Sequence, residues 1–100
     1  MQINLAQLKK EIGDRQVMLS VDTNGTINNT LSPIQCRLKF DHATIDQYEP
    51  SSVTLKSEIG EVVLTQIESV VKNIGFQMPT YTLLCGKLQQ MQKEYILTSL

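Results

Sequence analysis

SEIGEVVLTQIESVVKNIGF, residues 57–76, admits two folds, and the choice between them sets the architecture of the chain. Wound as a helix, Ile59, Val63, Leu64, Ile67, Val70, Val71 and Ile74 gather within one arc of about 140°, with Glu58, Glu61, Gln66, Glu68 and Lys72 on the other side. Ser57 is then a capping candidate, and Gly75 ends the helix with Phe76 packing back. Drawn out instead, Val53, Leu55, Ser57 and Ile59 alternate with Thr54, Lys56 and Glu58, as a half-buried strand does. Gly60-Glu61 turns the chain into a strand over 62–65, Ile67 anchors a short turn, and Ser69-Val70-Val71 opens the next strand. Seven of the fourteen residues from 61 to 74 are β-branched. Such side chains are stiff at χ1 and suit a pleated surface better than a helix. That content tips the reading to strand, turn and strand. A long helix over 57–74, packed on the same remaining strands, stays as the alternative.

Upstream, residues 4–12 read as a short helix capped by Asn4, with Leu5, Leu8 and Ile12 on one stripe and Gly13-Asp14 as its end. A helix this short needs a surface to dock on. Val17, Leu19 and Val21 then alternate with Met18 and Ser20. Asn24-Gly25 is the strongest turn signal, and Ser32-Pro33 breaks the returning strand. Ile34, Cys36, Leu38 and Phe40 read as inward, with Gln35, Arg37 and Lys39 outward. A turn at Asp41-His42 leads to a short strand over 43–48, then a loop over 49–52. Downstream, residues 81–85 read as a strand closed by Gly86. Residues 87–97 are split between a helix on Leu88, Met91 and Tyr95 and a strand on Tyr95-Ile96-Leu97.

One hundred residues with 41% apolar and 19% charged side chains make one ordinary folded domain, 1–100. No apolar run reaches the length of a membrane span, and the first residues lack the apolar core of an export signal, so the expected location is cytoplasmic. Nine basic and ten acidic residues are interspersed, which disfavours nucleic acid held by phosphate contacts. Cys36 and Cys85 read as reduced core residues.

Chemistry-bearing groups do not assemble in the sequence. Asp41, the lone His42 and Asp46 lack the further ligands that a metal site needs. Cys36 and His42 are too far apart along one strand for proton transfer, and nothing directs Cys85 to His42. The five glycines are isolated and form no phosphate loop. Asn24-Gly25-Thr26 and Asn28-Asn29-Thr30 match the glycosylation pattern but read as turn and loop residues. Phe40, Phe76, Tyr48, Tyr81 and Tyr95 read as packing residues rather than a stacking platform. The expectation is therefore no enzyme, with no catalytic, cofactor-binding or metal-binding residue and no cofactor.

The strand reading of Glu61-Val62-Val63-Leu64-Thr65-Gln66-Ile67-Glu68-Ser69-Val70-Val71 resembles the closing strands of Sm-like proteins, whose bacterial RNA chaperones have a similar Ile-x-x-Val-Val ending. The helix carrying Leu5 and Ile12, followed by Val17 and Asn24-Gly25, is also similar to their start. The likeness covers about two-thirds of the chain and extends to SH3-like barrels generally. It implies a small barrel and ring or dimer formation through edge strands. The family reads uridine-rich RNA through a Tyr-Lys-His run; Val63, Leu64 and Thr65 stand there in this chain, so no RNA-binding residue carries over.

The sequence thus predicts an α+β domain, mainly antiparallel β, with a short N-terminal helix on a small barrel or bent sheet. Its expected role is a non-catalytic interaction or assembly domain acting through a protein partner or self-association, with no membrane contact. An Sm-like RNA-binding module and an enzyme subunit completed by another chain are the alternatives.

Overall fold

The computed structural model describes residues 1–27, 30–48, 51–75, 78–86 and 92–100, and over 22–27 and 30–34 it describes the backbone alone. The elements run β1 (Gln2–Ile3), α1 (Leu5–Ile12), β2 (Val17–Ile27), β3 (Thr30–Phe40), β4 (His42–Asp46), β5 (Ser52–Ser57), β6 (Gly60–Thr65), β7 (Ile67–Ile74), β8 (Pro79–Cys85) and β9 (Lys93–Ser99). The domain is α+β, mainly antiparallel β, as the sequence predicts. A six-stranded sheet has the order β1-β7-β8-β9-β2-β3, and a three-stranded sheet the order β4-β5-β6. The sheets do not close into a barrel, which corrects that half of the expectation. The alternative helix over 57–74 is absent: β5, β6 and β7 take its place.

Two single residues carry the chain between the sheets. Asp41 joins β3 to β4, and its N–H donates to the Lys56 carbonyl at 2.9 Å. Gln66 joins β6 to β7 in the left-handed region, φ 54°, and its carbonyl accepts from Gly86 N–H at 2.9 Å. The start of β7 is fastened where Ile67 N–H donates to the buried Ser51 hydroxyl at 3.2 Å, next to a register shift between Ile67 and Ser69.

The core lies between the sheets and under α1. Val17, Leu19, Val70, Tyr81, Leu83 and Leu97 come from the larger sheet, Ala43, Ile45, Val53, Leu55 and Leu64 from the smaller one, and Leu8 and Ile12 from the helix. Asn4 caps α1 as expected, its side chain accepting from Gln7 N–H at 2.8 Å. The apolar stripe of α1 has only two turns to work with, so burial rather than intrinsic helicity holds it.

Cross-strand pairing overrode the local turn signals. Asn24-Gly25 lies within β2 opposite Pro33 and Ser32, and β3 runs through Ser32-Pro33 instead of breaking there. Turning at Asn24-Gly25 would set Leu19 against Thr30 and Val17 against Ser32. The observed register sets Leu19 against Leu38 and Val17 against Phe40, which pairs apolar with apolar. The connection over 28–29 lies outside the described residues. Similarly, β5 and β6 pair through Ser57 and Gly60, so the turn is Glu58-Ile59 rather than Gly60-Glu61, and Leu55 meets Val62. Residues 93–99 form β9, deciding the C-terminal ambiguity for a strand. The expected packing of Phe76, the first half of the loop expected over 49–52, and the helical placement of Leu88 and Met91 fall outside the described residues.

Candidate interaction surface

Register aligns a row of side chains across the larger sheet: Lys72, Tyr81, Leu97, Leu19 and Leu38. At its first end, Glu11 of α1 reaches the sheet. Its carboxylate pairs with Lys72 Nζ, accepts from the Tyr81 hydroxyl at 2.9 Å and accepts from Gln7 Nε2 at 3.1 Å. Hydrogen bonding from Lys72, with a further bond from Tyr81, holds the Glu11 carboxyl below its ordinary range against the opposing effect of burial. Burial, then donation to Glu11, pushes Tyr81 up to about 12. These groups satisfy one another and fasten the helix to β7 and β8. Sequence reading missed the cluster because its members lie 61 and 70 positions from Glu11. No periodicity signals such a long-range pairing.

The other end of the row is open. Leu97 is fully buried and Leu19 nearly so, yet Leu38 is 53% exposed. Every residue from Gln35 to Lys39 is exposed, on both faces of β3. This corrects the inward placement of Cys36 and Leu38; of the predicted inward set with described side chains, only Phe40 is buried. Cys36 and Leu38 do share the side of Phe40, opposite Val21 and Leu19, but no described element covers them.

Among the described residues β3 pairs with β2 alone, so its outer edge is unpaired. Pro33 fixes how that edge is oriented. A proline in a ladder belongs where its missing N–H faces away from the partner strand. Peptide groups of an antiparallel strand alternate in direction, so Gln35, Arg37 and Lys39 also face outward. Asp41, of the same parity, supports this assignment, because its N–H is turned to β5 and not to β2. The Arg37 guanidinium donates to Gln35 Oε1 at 3.1 Å along the same face of the strand.

The remaining candidates do not come together. His42 and Asp46 are exposed on β4, with Asp41 half-buried in the connection before it. No group of three or more metal-ligating side chains occurs among the described residues. Cys85 is buried on β8, unbonded to Cys36, and burial raises its thiol pKa. A groove of about 300 Å³ runs from Val63 and Thr65 of β6 to Cys85, Lys93 and Tyr95; His42 is not among its described lining residues. The ammonium of Lys93 lies 5.9 Å from the Tyr95 ring centroid, over its face. A wider cleft of about 470 Å³ is bounded by Gln2, Ile3, Asn4 and Gln7, and another of about 400 Å³ by Asn4, Leu5, Ala6, Gln47 and Tyr48. Tyr48 is exposed and Tyr81 buried, and they share no platform. No helix among the described residues is long and apolar enough to cross a membrane.

Val63, Leu64 and Thr65 lie on β6, an edge of the smaller sheet. The architecture is small, antiparallel and β-rich. Comparison with protein-family models, with curated proteins and with solved structures gives no match to this chain.

Proposed function

We propose that this protein is a non-catalytic interaction domain that assembles by adding a strand to the outer edge of β3. The observation that carries the reading is the exposure of Gln35–Lys39 on both faces of a terminal strand, with Leu38 uncovered at the end of a core row. An edge of this kind offers unpaired N–H and C=O groups in a line, and strand addition satisfies them while covering the apolar side chain. The sequence resemblance to Sm-like proteins, which implies assembly through edge strands, favours the same reading. An RNA-binding role has only that likeness in its favour, and the balanced charge opposes it.

Arg37→Pro tests the reading. Its nitrogen faces away from β2, so the substitution removes an outward donor and leaves the β2 ladder intact, as Pro33 already does on the same edge. The partner, whether this chain or another, is expected to bind the native protein and to be lost from the variant at unchanged thermal stability. Equal binding by the two proteins, or by neither, rejects strand addition at β3.

A further inference from the structure

We infer that the strand added to β3 is β3 of a second copy, running antiparallel about a two-fold axis centred on Cys36. This inference rests on the reading of β3 as the binding edge. A two-fold pairing places each residue opposite another of the same strand, so the edge must be compatible with itself. Centring on Cys36 sets Arg37 against Gln35 of the other copy and Lys39 against Pro33. Both cations of the edge then face neutral residues. Centring on Arg37 sets two guanidinium groups opposite each other, and centring on Leu38 sets Arg37 against Lys39; like charges directly opposite are destabilising. Centring on Gln35 also avoids that clash but brings Pro33, which has no N–H to give, one position closer to the axis than the Cys36 register does, opposite Arg37 rather than Lys39.

The Cys36 register has a second consequence. Outward-facing Gln35 and Arg37 form the hydrogen-bonded pairs, so Cys36 meets its counterpart in the close, non-hydrogen-bonded pair. Their Cα atoms are then about 4.5 Å apart, which is within the range a disulfide spans. Cys36 and Leu38 of both copies lie on the side of β3 that continues the core face, so the seam joins two exposed apolar patches. The outward cations stay on the opposite face, in water.

Cys36 thus reports the register directly. Light scattering over a range of concentration is combined with diamide, which takes two electrons and two protons from a pair of thiols to leave one disulfide. The expected result is a concentration-dependent mass of twice one chain, and a covalent dimer that forms in the native protein and in Cys85→Ser but not in Cys36→Ser. Cys36→Ser is expected to keep the non-covalent dimer, and Arg37→Pro to be monomeric. A dimer that Arg37→Pro abolishes but diamide never traps through Cys36 overturns this register while sparing the β3 edge. A dimer indifferent to Arg37→Pro overturns both. A monomer at every concentration overturns self-pairing, and partner capture by the native protein but not Arg37→Pro then still decides strand addition independently.

Discussion

The Tyr81 hydroxyl donates to Glu11 Oε1 at 2.9 Å, and this bond closes one end of the row whose other end is Leu38. Tyr81 is 1% exposed, so its hydroxyl has no ready substitute for that acceptor. The contrast between a sealed end and an open end of one row is what singles out β3.

Removing the acceptor should therefore cost more than removing the donor. Glu11→Ala is expected to destabilise by about 1–3 kcal/mol, since it orphans a buried hydroxyl and frees Lys72 from its partner. Tyr81→Phe should cost about 1 kcal/mol, because Lys72 and Gln7 still serve the carboxylate. The pH dependence has two limbs. Glu11 has a lowered folded pKa, so its contribution is present above the ordinary value of 4.5 and is lost as pH falls through the folded value. Tyr81 has a raised one, so its contribution is full below 10 and is lost between 10 and about 12, where the unfolded chain ionises first. Urea unfolding across pH checks both limbs, with Glu11→Gln flattening the acid one.

Val70 is 2% exposed on β7, where it pairs with Ile3 of β1 on one side and Leu83 of β8 on the other. Val70→Asp buries a charge with no partner, which costs several kcal/mol and is enough to unfold a domain of this size. Loss of cooperative thermal unfolding is the expected result. A soluble, cooperatively melting variant would contradict the assigned core.

Gln66 sits at φ 54°, where a side chain with a Cβ is strained. Gln66→Gly is expected to be neutral or stabilising by up to about 1 kcal/mol, as relief of strain offsets the added freedom of the unfolded chain. Gln66→Val should cost about 1–2 kcal/mol, because a β-branched residue tolerates this region least. Thermal melts of the two variants should move in opposite directions or leave the glycine unchanged.

The two thiols should behave as opposites. Cys36 is exposed, whereas Cys85 is buried with its pKa raised by that burial. A thiol reagent is expected to modify Cys36 rapidly in dilute folded protein and Cys85 only after unfolding. Rapid modification of both would place Cys85 outside the core.

Legibility in the sequence followed the range of the interactions. Asn4 and the stripe of Leu5, Leu8 and Ile12 announce α1 because capping and helical spacing are local. The β-branched density between Val62 and Ile74 correctly outweighed helical periodicity, since χ1 stiffness is a property of each residue. Asn24-Gly25 misled because a favourable turn is worth less than a ladder that pairs Leu19 with Leu38 and Val17 with Phe40. The exposure of Cys36 and Leu38 was hidden for a different reason. Alternation reports which side of a sheet a residue is on, and only the second sheet decides how much of that side is covered. The Glu11 cluster joins three elements that no local pattern connects.

Amide hydrogen exchange along β3, followed as protein concentration is raised, tests strand addition most directly. Cys36 and Leu38 already donate toward β2 and should be protected throughout. Gln35, Arg37 and Lys39 face outward; they should exchange freely in dilute protein and gain protection together, in alternation with their neighbours, as the second copy binds. Unchanged exchange at those three amides while the protein self-associates, or protection of all five amides already in the monomer, would contradict an open β3 edge as the assembling surface.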